Sequence, residues 1–71
     1  MFRFSRERIL PIFLQRRIPV KKLATEAGVS ERVIWKAVNG LPVSSKVIYG
    51  IAEALGFNPL DVLVENRIEI R

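Results

Sequence analysis

Five side chains between positions 31 and 39 carry groups suited to recognising a partner. Arg32 and Lys36 are cationic donors, and Glu31 is an acceptor. Asn39 both donates and accepts, and Trp35 offers a flat apolar ring. On a helix, their spacing of i, i+1, i+4, i+5 and i+8 places all five on one side. The chemistry that this pattern predicts is recognition through hydrogen bonds, charge and apolar contact.

The residue types needed for catalysis are scarce. The 71 residues include no cysteine and no histidine, so thiolate chemistry and the commonest general base and metal ligand are missing. The sequence also has no glycine-rich phosphate loop and no pair of carboxylates at a convincing spacing. We therefore expect a protein that is not an enzyme and that holds no metal and no cofactor.

Two short helices joined by a glycine turn must position the five side chains. Residues 20–27 and 30–38 each place their apolar residues at helical spacing, so each helix buries one face. Gly28 stands where the chain has to leave the first helix with a positive φ, and Ser30 is a good N-cap for the second. A surface stripe on a helix that follows a turn of about 3–4 residues is what a helix-turn-helix presents to the major groove of DNA.

The net charge of +5 is concentrated around this unit. Residues 16–46 hold seven cationic side chains and two carboxylates, whereas residues 47–71 hold two and four. Such a field suits phosphate binding, the alternative being a basic face that is merely solvated. Ser44 and Ser45 also qualify as ordinary helix-start residues. The candidate phosphate ligands in this region are Arg16, Arg17, Lys21, Lys22, Ser44, Ser45 and Lys46.

Four helices share one start signal, a cap residue with an apolar residue before it and another four positions after it, which forms a hydrophobic staple. The caps are Ser5, Ser30, Ser44 and Asn58. In the fourth helix, Gly50 is unfavourable by about 1 kcal/mol relative to alanine, which points to close packing there. The predicted helices span residues 5–16, 19–27, 30–38, 44–55 and 59–64.

Three places in the chain allow more than one interpretation. Pro11 either kinks the first helix or starts it, and Pro19 starts the second helix without a capping side chain before it. Residues 2–4 and the tail 67–71 both alternate polar and apolar. They pair with each other, pair across a dimer or fray. We take residues 1–66 as one domain and the tail as a candidate dimerisation strand.

The middle of the chain contains a known family pattern. Its pieces are Leu23-Ala24, Ala27-Gly28-Val29-Ser30, Ile34, Asn39-Gly40 and Ile51-Ala52-Glu53-Ala54-Leu55-Gly56. Through them, residues 10–64 resemble the Cro/C1-type helix-turn-helix domain of phage repressors and small bacterial regulators. Residues 23–40 are equally similar to the headpiece of LacI-type repressors. The helix before this stretch, the segment 58–63 and the lack of a long sugar-binding domain favour the Cro/C1 type.

The resemblance implies an all-α fold, a compact five-helix domain of the lambda-repressor-like kind with the helix-turn-helix at its second and third helices. Two positions depart from the family pattern. The family usually begins its second helix with Ser or Thr and then Gln, which grip phosphate. Here Pro19 and Val20 stand there, so that contact is lost or taken over by Lys21 or Lys22. Trp35 stands where the family tends to have a small or polar residue, and it either covers a thymine methyl group or packs on a neighbouring helix or a partner protein.

The outward side chains of the second motif helix have distinct expected roles. Arg32 matches the O6 and N7 acceptors of guanine. Glu31 suits a cytosine amino group, or it only places negative charge at a helix N-terminus. Lys36 reaches bases or phosphate. For Asn39 the resemblance implies a contact with the DNA backbone, the alternative being a cap on the helix. The residues expected to contact bases are Glu31, Arg32, Trp35 and Lys36.

We expect a transcriptional regulator, a repressor, that binds a palindromic operator in double-stranded DNA as a homodimer. The expected dimer interface uses Leu60, Val64, Ile68 and Ile70, which exceed the apolar needs of so small a domain. Neither a small-molecule effector nor a membrane is an expected partner, and the expected compartment is the cytoplasm. The alternative is a protein-interaction module with the same fold, such as the antitoxin of a toxin–antitoxin pair, that uses Trp35 or the tail.

Overall fold

Most of the chain is helical in the computed structural model, which describes residues 1–64. Helix α1 spans Arg6–Arg16, α2 spans Val20–Ala27, α3 spans Glu31–Val38 and α4 spans Ser45–Leu55. Each of these helices begins one residue after its predicted start and ends where predicted. The described residues form no β-sheet, only two isolated bridges. The all-α class is therefore confirmed.

Serine caps fix the starts of α3 and α4. The Ser30 hydroxyl oxygen accepts from the backbone N–H of Val33 at 3.3 Å, and that of Ser44 accepts from Val47 at 3.5 Å. Ser5 occupies the same position before α1, but its side chain accepts no capping bond. The starts of α3 and α4 therefore have side-chain caps, whereas the start of α1 has none.

The helices enclose one apolar core, to which α4 contributes five residues spaced i, i+1, i+4, i+5 and i+8. Gly50 on α4 allows α2 to approach closely, because a Cβ there would lie 3.0 Å from the carbonyl oxygen of Ala27. The close packing predicted at this glycine is therefore confirmed. The largest fully buried side chains are Phe4, Ile9, Leu23, Ile34, Val38, Ile48 and Ile51.

The fifth element is a single 3-10 turn, Pro59–Asp61, rather than the α-helix expected over residues 59–64. The expected cap is present, since Asn58 Oδ1 accepts from the Leu60 N–H at 3.0 Å. The turn stops because the next residues, 62–64, form backbone hydrogen bonds with the start of the chain. Long-range pairing thus replaces the last helical turn, and residues 1–64 contain four α-helices where five were expected.

The start of the chain lies between two other segments. Phe2 exchanges two backbone hydrogen bonds of 2.8 Å with Val43, and Phe4 forms an antiparallel bridge with Leu63. The Phe4 side chain is completely buried, and its ring packs edge-on against that of Phe57 at a centroid distance of 5.8 Å. The first residues therefore pair rather than fray, and their partners, Val43 and Leu63, were not among those expected. The tail 67–71 lies outside the described residues.

Both prolines near the N-terminus are placed by the structure. Pro11 lies inside α1, so the interpretation that the helix starts there is wrong. Pro11 is exposed. Its missing N–H leaves the carbonyl group of the residue four positions earlier without a helical donor, and water can reach that carbonyl group. Pro19 occupies the N-cap position of α2 and provides no side-chain bond, so α2 begins at Val20 without a capping side chain.

Candidate nucleic-acid interface

The turn between α2 and α3 determines how α3 is presented. Gly28 leaves α2 with a φ of 74°, and the N–H of Val29 donates to the Ala24 carbonyl oxygen at 3.0 Å. A Cβ at Gly28 would meet no atom within 4 Å, so the reason for glycine is conformational alone. Ser30 follows at once as the cap of α3. The two helices are thus joined by a short turn that leaves little freedom in their relative orientation.

Helix α3 has one buried and one exposed side. Ile34, Ala37 and Val38 are completely buried against the rest of the protein. The opposite side comprises two rows of residues at i, i+4 spacing, one starting at Glu31 and the other at Arg32. We call this surface the outer face of α3, and its five exposed residues are Glu31, Arg32, Trp35, Lys36 and Asn39. The residues predicted to contact bases therefore share one accessible surface.

Trp35 lies in the middle of the first row and is 49% exposed. Its indole packs edge-on against the Phe13 ring of α1, with the ring centroids 5.8 Å apart and an angle of 76° between the planes. Phe13 itself is only 7% exposed. The ring thus packs on a neighbouring helix, as one of its two interpretations predicted, and still leaves half of its surface on the outer face.

Two polar members of the outer face also stabilise the helix itself. Asn39 Nδ2 donates to the Trp35 carbonyl oxygen at 2.8 Å, and the Asn39 backbone N–H donates to the same oxygen at 3.2 Å. The interpretation of Asn39 as a helix cap is therefore confirmed. Glu31 lies in the first turn of α3, where its negative charge interacts favourably with the helix dipole.

The predicted phosphate ligands fall into two groups. Arg16 has a role within the fold that was not predicted, because its Nε donates to the Leu55 carbonyl oxygen at the end of α4, at 2.8 Å. Ser44, as described above, caps the start of α4. All seven predicted ligands are exposed, and the remaining five lie either at the end of α1 and the start of α2 or in the first turn of α4. They are Arg17, Lys21, Lys22, Ser45 and Lys46.

A second exposed surface lies where the start of the chain meets the 3-10 turn. Leu60, which is 72% exposed, and Val64 line a groove of about 540 Å³ there. Arg8 also lines the groove, and its guanidinium donates to a carbonyl oxygen of the 3-10 turn at 3.2 Å. Two of the four residues predicted for a dimer interface therefore lie together. The other two, Ile68 and Ile70, lie outside the described residues.

One residue of the candidate interface was missed by sequence reasoning. Phe13 was not among the predicted site residues, although its spacing of four from the buried Ile9 indicates an inward-facing position on α1. That spacing could not show that Phe13 meets Trp35, because the contact depends on how α1 and α3 pack. The sequence alone therefore gave no reason to connect this core residue with the outer face.

The described residues contain neither a cluster of metal ligands nor a membrane-spanning helix. Within residues 1–64, no group of three or more acidic, cysteine or histidine side chains is placed to hold a metal ion. No helix in the same part of the chain is long and apolar enough to cross a membrane. Comparisons of the chain with protein-family models, with curated proteins and with solved structures gave no match.

Proposed function

We propose that this protein is a sequence-specific regulator of transcription that places α3 in the major groove of double-stranded DNA, with α2 and α3 as a helix-turn-helix. The observation that carries the proposal is the outer face of α3. It combines charged, amide and aromatic side chains on a short helix whose other side is completely buried. The resemblance of the sequence to Cro/C1-type domains supports the same function and favours a repressor.

The charge distribution supports docking on a phosphate backbone. Base-edge contacts provide sequence specificity, while phosphate contacts position a protein on the duplex. In this proposal Arg32 contacts guanine, and four of the exposed cations outside α3 contact phosphate groups. They come from two separate places, the junction of α1 and α2 on one hand and the first turn of α4 on the other. Those cations are Arg17, Lys21, Lys22 and Lys46.

A homodimer on a palindromic operator completes the proposal. A single small domain contacts only one half-site, and two-fold dimers extend recognition to two half-sites about 34 Å apart. The exposed Leu60 beside Val64 supports an apolar interface at the groove described above. Ile68 and Ile70 supply further apolar side chains for the same interface. The four residues are proposed to associate across the two-fold axis.

A binding selection tests the function directly. The protein is mixed with a pool of random duplexes at about 0.15 M salt, where interactions between distant charges are screened, and the retained DNA is sequenced. We expect a palindromic motif, whose half-site spacing gives the dimer geometry. The affinity for the selected duplex should fall with salt at a logarithmic slope of about −0.9 per neutralised phosphate. Retention without a motif would contradict sequence specificity.

One observation supports a second candidate function, a protein-interaction module such as an antitoxin. Leu14 is 66% exposed and follows Phe13 directly, so apolar surface is present on α1 next to the helix residue that supports Trp35. A chain that retains no duplex even near 0.05 M salt, where electrostatic binding is strong, would exclude the DNA-binding proposal in favour of this one. Its binding surface would then be sought at Trp35 and in the tail.

A further inference from the structure

The edge-on contact between Phe13 and Trp35 joins the core to the outer face of α3. Phe13 is almost completely buried, whereas Trp35 is half-exposed, so one ring is held by the protein and the other is presented to solvent. Trp35 is also the only tryptophan of the chain and the only apolar residue on the outer face. A large aromatic ring is therefore placed among polar side chains on the surface proposed to enter the groove.

The elements that carry the two rings are braced. The Trp35 carbonyl oxygen accepts both bonds from Asn39, which fixes the last turn of α3. At the other side of the contact, Arg16 binds α1 to the end of α4. The indole itself is restrained by its contact with Phe13, which reduces the conformational entropy that the ring loses when it binds a ligand. The exposed half of the indole is thus preorganised for contact in the free protein.

The chemistry of the major groove indicates what such a ring would contact. Its base edges present hydrogen-bond donors and acceptors, and the 5-methyl group of thymine is the apolar group among them. Glu31 and Asn39, the neighbours of Trp35 in its row, carry polar groups that gain nothing from a methyl group. Arg32 and Lys36 end in charged groups, so the indole is the largest apolar surface of the outer face that can bury the methyl group.

We propose that Trp35 recognises the 5-methyl group of a thymine in the operator half-site, and that Phe13 is the positioning residue that holds the indole for this contact. The inference rests on the proposed DNA binding and adds the identity of a base to it. In this proposal Phe13, a buried residue of α1, contributes to sequence specificity.

Replacement of thymine by deoxyuridine tests the contact by removing a single methyl group. Each thymine of the selected duplex is replaced in turn, and its affinity for the wild-type protein is measured. We expect one position per half-site at which the replacement lowers the affinity about four-fold, the value for one buried methyl-sized group. In Trp35→Ala, the same replacement at that position should have no effect.

The role of Phe13 is tested with Phe13→Leu and Phe13→Met, which keep an apolar side chain but remove the ring. We expect a smaller thymine-to-deoxyuridine effect in both variants, with the effect of base changes opposite Arg32 unchanged. In the free protein, acrylamide should quench the fluorescence of Trp35 more strongly than in the wild type. Leu14→Ala, which alters the adjacent exposed residue of α1, is the matched control and should behave like the wild type in both measurements.

Each outcome has a defined meaning. Sequence-specific binding without any deoxyuridine effect would overturn the thymine contact and leave the proposed function standing. An effect that persists in Trp35→Ala would assign the methyl group to another residue. Normal discrimination and normal quenching in the two folded Phe13 variants would overturn the positioning role alone. If the wild-type protein shows no sequence-specific binding to DNA, both the proposed function and this inference are refuted.

Discussion

Helices α3 and α4 begin in the same way but differ in the residues on their exposed sides. Each follows a valine and a serine cap and places an isoleucine, Ile34 or Ile48, four residues after the cap. Helix α4 then packs against every other helix and the 3-10 turn. Helix α3 also packs against the three other helices, but its exposed side carries three charged residues and the half-exposed Trp35. The comparison shows that the start signal determines where a helix begins along the chain. The residues on its exposed side determine what the helix presents to solvent.

The largest expected effect is on stability, and it separates the buried side of α4 from the exposed side of α3. Ile51 on α4 is completely buried, so Ile51→Ala should lower the free energy of unfolding by about 2–5 kcal/mol through lost burial and a cavity. Lys36→Ala on the outer face of α3 should change it by no more than about 0.5 kcal/mol. Denaturant unfolding of both variants measures the difference. Equal losses would contradict the division into a buried support and an exposed surface.

A smaller effect is expected in DNA binding. Arg32→Ala should weaken binding to the selected duplex by about 1–3 kcal/mol and affect random duplexes little, because the side chain is proposed to contact a base. Lys21→Ala, at the start of α2, should weaken both kinds of duplex similarly and reduce the salt slope by about 1. Titrations with both duplexes at several salt concentrations distinguish the roles. Identical behaviour of the two variants would show that Arg32 does not contact a base.

The smallest effect concerns the shared start signal. Ser30→Ala and Ser44→Ala each remove one capping bond, so each should lower the free energy of unfolding by about 1 kcal/mol. Thermal or denaturant unfolding checks whether the two losses are similar. A loss confined to one variant would show that the two caps are not equivalent despite their matching sequences.

The fold was predictable where its determinants are close together in the sequence. The caps, the glycines after α2 and α4, and the spacing of buried residues lie within a few positions of one another, and they gave the four α-helices to within a residue. The last predicted helix was wrong because residues 62–64 form hydrogen bonds with the other end of the chain. No local sequence pattern shows the competition between a further helical turn and this long-range pairing. The cap at Asn58 was predicted correctly, but the helix predicted to follow it was too long.

The candidate site shows the same limit. Exposure of the outer face of α3 followed from helical spacing, and the structure agrees with it. The hydrogen bond from Arg16 to the end of α4 could not be predicted from helical spacing, because its acceptor, Leu55, is 39 residues away in the sequence. The contact between Phe13 and Trp35 likewise crosses from α1 to α3. Spacing predicts which side of a helix is buried, whereas it does not predict which neighbour covers it.

The pairing of the first residues has a consequence for the order of folding. Phe4 forms its backbone bridge with Leu63, near the other end of the described residues. Helices and the turn between α2 and α3 form from nearby residues, whereas joining such distant segments requires the closure of a long loop. We therefore expect this pairing to form after the helices, whose hydrogen bonds join residues that are close in the sequence.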